Sequence, residues 1–126
     1  MRSALVLAGL LFATGTAFAV DLPIAGNYGT PGGCAVAGGQ SAEAGAEVTV
    51  FLTAEARFNG NICPYTDVSE VAGQSAWNVR LRCPIGHEDE VSVALTLAED
   101  TAAKTITVET TEGDGPEGEF AACATP

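Results

Sequence analysis

Positive charge is what this 126-residue sequence has least of. Five lysines and arginines stand against 16 aspartates and glutamates, for a net charge of −11. A surface with that balance repels nucleic acid and anionic lipid, and it speeds encounter with cationic partners. Acidity that only keeps the protein soluble is the plainer reading of the same numbers. Histidine is nearly absent too. The single residue, His87, sits in the charged turn Ile85-Gly86-His87-Glu88-Asp89-Glu90, with no nucleophile placed beside it. That argues against triad chemistry, and Ser92 stands in no strand–serine–helix elbow. There is no Cys-x-x-Cys to pair with the histidine as a zinc site. The expectation is a non-enzyme with no cofactor and no metal.

Long apolar runs are missing as well. The one candidate, Ala4 to Leu11, follows Met1 and Arg2 and is too short for a bilayer, which takes about 20 residues. With Ala17-Phe18-Ala19 behind it, the run reads as a secretory signal peptide over residues 1–19. Cleavage after Ala19 would leave 107 of the 126 residues, enough for a single domain over 20–126. Loss of Arg2 with the leader would take the net charge to −12. The expected location is periplasmic or extracellular, without a membrane span.

No stretch holds a helical period between start and stop signals. The alanine clusters Ala42–Ala46 and Ala54–Ala56 could each form one turn of helix. From Ile24 to Gly45, glycine and alanine dominate without period or phosphate-loop spacing, and the segment reads as a long loop held by Cys34. Within it, Gly26-Asn27-Tyr28-Gly29 offers a short first strand with Tyr28 inward.

What is present is alternation. Glu47 to Thr53 puts Val48, Val50 and Leu52 on one face and Thr49, Phe51 and Thr53 on the other. Trp77, Val79, Leu81 and Cys83 share a face, opposite Asn78, Arg80 and Arg82. Trp77 is therefore a core residue before it is a ligand-stacking one. The outward arginines are expected to pair with Asp67 or Glu70 across the hairpin. Val91 to Leu97 and Lys104 to Thr110 make a further hairpin with Ile106 and Val108 inward. Glu119 to Cys123 reads as a last strand. Strands broken by turns every 8–12 residues predict an all-β fold of about seven or eight short strands. An up-and-down antiparallel barrel is favoured, with a β-sandwich as the alternative.

Two acidic turns, His87–Glu90 and Glu109–Glu119, offer oxygen ligands. Neither has the spacing of a calcium loop, and a charge run of this kind reads first as solvated surface.

Four cysteines, Cys34, Cys63, Cys83 and Cys123, all follow the leader, which implies two disulfides. The stretch Phe58 to Cys83 carries two Cys-Pro pairs about a turn at Gly73. A hairpin folded there sets Cys63 opposite Cys83. Cys34–Cys123 follows by elimination, and first and last strands are neighbours in an up-and-down barrel. Pro64 competes with this register, because it removes a backbone donor and could end the first arm.

The sequence of features Gly26, Tyr28, Cys34, Cys63, Trp77-Asn78-Val79, Cys83 and Cys123 behind a leader resembles small exported disulfide-containing bacterial proteins of unassigned function. In size, acidity and disulfide content the chain is also similar to periplasmic inhibitors of lysozyme, which are small β-proteins; their binding-loop motif has no counterpart here. The negative charge, the two expected disulfides and the absence of a catalytic set lead to the expectation of an exported binding or inhibitor module, monomeric, with a cationic envelope or extracellular protein as partner. A small apolar-ligand carrier and a structural envelope protein are the alternatives.

Overall fold

The computed structural model describes residues 20–84 and 90–124. Its strands are β1 (Tyr28–Gly29), β2 (Val50–Phe51), β3 (Glu55–Phe58), β4 (Asn61–Glu70), β5 (Ala76–Pro84), β6 (Glu90–Asp100), β7 (Thr105–Glu112) and β8 (Gly118–Ala122). Each pairs antiparallel with the next, and β1 pairs with β8, so the sheet closes as an eight-stranded up-and-down barrel. One helix, α1 (Pro31–Ala37), packs against β1 and β2. His87 and the rest of its turn up to Asp89 lie outside the described residues.

The long strands follow their alternation. On β5 the residues Trp77, Val79, Leu81 and Cys83 are buried and Asn78, Arg80 and Arg82 are exposed. On β6 and β7, Val93, Leu95, Leu97, Ile106 and Val108 point inward with Phe51, Tyr65 and Phe120. The rings of Phe51 and Phe120 meet at 5.5 Å across the seam, tilted by 55°. An eight-stranded barrel has an interior just wide enough for its own side chains, and here those side chains fill it.

Both disulfides take the expected pairs, Cys34–Cys123 and Cys63–Cys83. Pro64 does not end β4. It lies opposite Glu55 of β3, and the strand runs on to Glu70. The register instead slips by one residue at Thr66, between Tyr65↔Leu81 and Asp67↔Arg80. Such a bulge lets a strand bend without ending, and Cys63 remains opposite Cys83, with 4.5 Å between their Cα atoms. Gly73 turns the hairpin at φ +76°.

The first third departs from expectation. The glycine-rich stretch holds α1 rather than only a loop. Thr30 caps the helix by accepting the Gly33 N–H at 3.0 Å, and Pro31 supplies a preset φ at its start. Seven residues are too few to show a period. The same hydroxyl accepts the Thr49 N–H at 3.1 Å and donates to the Glu47 carbonyl at 2.7 Å, so it also fixes the approach to β2. Gly32 and Gly33 are buried, and a Cβ on Gly33 would strike the Thr49 backbone. The helix needs glycine there to lie against β2.

Only Val50–Phe51 of the expected Glu47–Thr53 strand is paired, and both residues are fully buried. Phe51 belongs to the interior cluster, whereas Val50 does not. Ala54–Ala56 is no helical turn, because Glu55 and Ala56 belong to β3, and Ala42–Ala46 forms no helix either. Cross-strand pairing overrides alanine's helix preference.

A candidate binding surface at the Asn59 end

The barrel has two unlike ends. At one, the Asn59–Gly60 turn joins β3 to β4, residues 113–117 join β7 to β8, and the ends of β5 and β6 meet at Pro84↔Glu90. At the other lie the turns at 71–75 and 101–104 and the entering segment from Val20. That segment is stitched in: Val20 N–H donates to Tyr65 O at 2.9 Å, Leu22 N–H donates to Thr53 O at 2.7 Å, and the Leu22 side chain is buried in the core.

The Asn59 end holds a hollow of about 300 Å³. Phe58, Cys83 and Val93, all buried, form its floor, and Asn59, Asn61, Val91, Gly113 and Asp114 form its rim. Asn59 and Gly60 have φ of +52° and +76°, as a two-residue type I′ hairpin turn requires. This tight turn lies inside a stretch otherwise read as one arm of the Gly73 hairpin. The Asn-Gly pair flanked by strand residues is the signal that marks it.

The opposing turn is braced as well. The Thr110 hydroxyl donates to the Pro116 carbonyl at 2.8 Å, and Gly113, at φ +85°, sits close against Ser92 and Val93. A second hollow of about 240 Å³ shares Phe58 and Asn61 with the first and adds Val36, Val48 and Ile62. Ile62 is 51% exposed and Val91 38%; with Val20 they are the large exposed apolar side chains of the described residues. Two of those three therefore lie at this end.

The arginines do not pair with Asp67 or Glu70. Arg80 reaches Glu112 at 3.4 Å and the Ser92 hydroxyl at 3.2 Å, and Arg82 reaches Glu90 at 3.3 Å. Asp67 does lie directly opposite Arg80, but the Arg80 side chain turns the other way along the sheet, so the partners come from β6 and β7. Arg57 pairs with Glu55 at 2.8 Å. Among the described residues these are the ion pairs, and they engage all three arginines. Asp114 and Glu117, both exposed, have no cationic partner among them. Neither does any group of three or more histidine, cysteine or acidic side chains gather there to hold a metal. In the Glu109–Glu119 stretch, Glu109 and Glu112 are instead spread along β7.

The opposite end carries a groove of about 510 Å³ lined by Ala25–Tyr28, Thr101, Lys104 and Ala122–Ala124. Beside it the Tyr28 hydroxyl donates to Glu99 Oε2 at 2.5 Å, and the same oxygen accepts the Ala25 N–H at 2.8 Å. Burial and then the Glu99 hydrogen bond and charge push the Tyr28 phenol up to about 12. Burial, aided by Glu55, also pushes Tyr65 up, and its hydroxyl donates to the Leu52 carbonyl at 2.8 Å.

No protein-family model, no curated protein and no solved structure matches the chain. No helix among the described residues is long and apolar enough to cross a membrane.

Proposed function

We propose that the protein is an exported, non-enzymatic binding or inhibitor module that engages a cationic protein through its acidic surface. The observation that carries this reading is the uncompensated charge. Sixteen carboxylates face five cations in the chain, and the three described arginines are already paired. What remains on the outside is a large excess of carboxylates, which raises the encounter rate with basic partners. Two disulfides suit an oxidising compartment. A carrier of apolar ligands would need interior volume, and Tyr65, Phe51, Leu81, Leu95, Leu97 and Ile106 occupy it.

The test is a binding series against basic envelope or extracellular proteins, lysozyme among them, at low and raised salt. Association is expected at low ionic strength and should weaken steeply as salt rises. Absence of any interaction across the series at low salt overturns the proposal.

A further inference from the structure

We infer that the docking face is the Asn59 end, and that its hollow receives one lysine or arginine side chain of a basic protein while Ile62 and Val91 take apolar neighbours of that residue. The inference rests on the acidic-module reading and narrows it to one site and one kind of contact.

Three observations meet at this end. The first is the hollow itself, whose floor of Phe58, Cys83 and Val93 is apolar and buried. A long basic side chain carries an aliphatic stem with a charged head, and it lays the stem on apolar surface while keeping the head at a polar rim. The rim supplies Asp114 and the amide side chains of Asn59 and Asn61. The second is charge complementarity. Arg57, which lines the neighbouring hollow, is held by Glu55, and Arg80 and Arg82 are held by Glu112 and Glu90, so among the described residues no cation pairs with Asp114 or Glu117. The third is the exposed apolar flank, which runs from Val36, Val48 and Ile62 through Phe58 and Asn61 into the hollow. Basic side chains with apolar neighbours are what such a surface complements. The two described turns beside it, Asn59–Gly60 and 113–117, are respectively tight and braced, so those two need little ordering on docking.

The opposite groove lacks that match. Its charged lining residue is a cation, Lys104, and the nearby Glu99 carboxylate is already held by Tyr28 and Ala25, so it presents no acidic rim to a basic side chain.

Two charge reversals separate the site from the bulk field. Asp114→Lys changes the rim of the hollow, while Glu70→Lys makes the same change of net charge at the far end of β4; both positions are exposed. Affinity for lysozyme at low salt would be measured for each by calorimetry, with thermal melts to confirm folding. The inference expects D114K to weaken binding by about tenfold or more and E70K by less than about threefold. Ile62→Ser should weaken it several-fold while leaving its salt dependence unchanged. Equal losses in D114K and E70K, or a larger loss in E70K, overturn the docking face and leave the acidic-module reading standing. No binding by the unaltered protein to any basic protein overturns that reading and this inference with it.

Discussion

Thr30 is a small residue with a wide reach. Its hydroxyl caps α1 through Gly33, accepts Thr49 and holds Glu47, so a single oxygen joins three segments. Thr30→Ala should cost about 1–2 kcal/mol, the upper range for a lost cap, because the Thr49 N–H also loses its acceptor. Thr30→Ser keeps the oxygen and should recover most of the loss; chemical denaturation of the two variants checks both values. Gly33→Ala is the steric counterpart. Its Cβ would strike backbone rather than a mobile side chain, and the helix would have to lift from β2 at a cost of several kcal/mol.

The two tyrosines give the molecule an alkaline limit. Tyr28 is raised to about 12 and Tyr65 is raised as well, whereas both ionise near pH 10 in an unfolded chain. Folded-state values above the unfolded ones mean that the folded protein retains protons the unfolded chain gives up. Their stabilising share is complete below about pH 10 and is lost above it, Tyr28's as pH climbs through about 12 and Tyr65's at more alkaline pH still. Because these are the only tyrosines, ultraviolet titration of the phenolates reads them directly. Ionisation of both near pH 10 in the folded protein would contradict this account.

At the scale of elements the wall is uneven. β5 and β6 share nine paired residues, from Ala76↔Ala98 to Pro84↔Glu90, while β1 holds two pairs with each neighbour. Amide exchange should therefore be slowest along β5 and β6 and fastest in β1, β2 and α1. The Cys34–Cys123 bridge compensates for the short seam. It closes a loop spanning 89 residues, worth about 4–5 kcal/mol in the chain-entropy account, against about 3 kcal/mol for the 20-residue separation of Cys63–Cys83. Replacing Cys34 and Cys123 by alanine should raise exchange in α1, β1 and β2 while β4 to β7 keep their protection. Uniform loss of protection would show that the seam and the long strands open as one unit.

The same unevenness explains what could be read from the sequence. The half of the barrel from β4 to β8 is written in alternating residues, since each long strand packs one face inward, and Trp77 to Cys83 could be placed directly. The half from β1 to β3 depends on contacts that leave little local pattern. A two-residue strand has no measurable period, and α1 exists because Thr30, Gly33 and Thr49 meet in space. The arginine partners escaped for another reason: Asp67 does face Arg80, and only the direction in which each side chain leans along the sheet selects Glu112 and Glu90. The hollow at the Asn59 end was hidden too. Its members are separated by up to 56 positions in sequence, from Phe58 to Asp114, and only the Asn-Gly turn announces one side of it.

At the scale of the whole molecule, a chain with a net charge of −11 repels itself when folded compactly. Adding salt screens that repulsion at separations beyond about 10 Å, so the melting temperature should rise as sodium chloride goes from low to several hundred millimolar. Sodium chloride is the salt to use, because its ions act mainly through screening. A flat or falling response would show that the paired arginines outweigh the repulsion.

Tyr28 pairs with Ala122, and Cys34 bonds Cys123. Synthesis delivers the chain from its N-terminus, so Cys34 waits unpaired until Cys123 has appeared, with Cys63 and then Cys83 arriving before its true partner. A catalyst that joined thiols in order of arrival would link Cys34 to Cys63 and trap the barrel open. Correct oxidation thus depends on the β4–β5 hairpin claiming Cys63 first, or on an isomerase that undoes the early bond. Cells without such an isomerase should accumulate the 34–63 species of this protein, visible as a distinct band on a non-reducing gel.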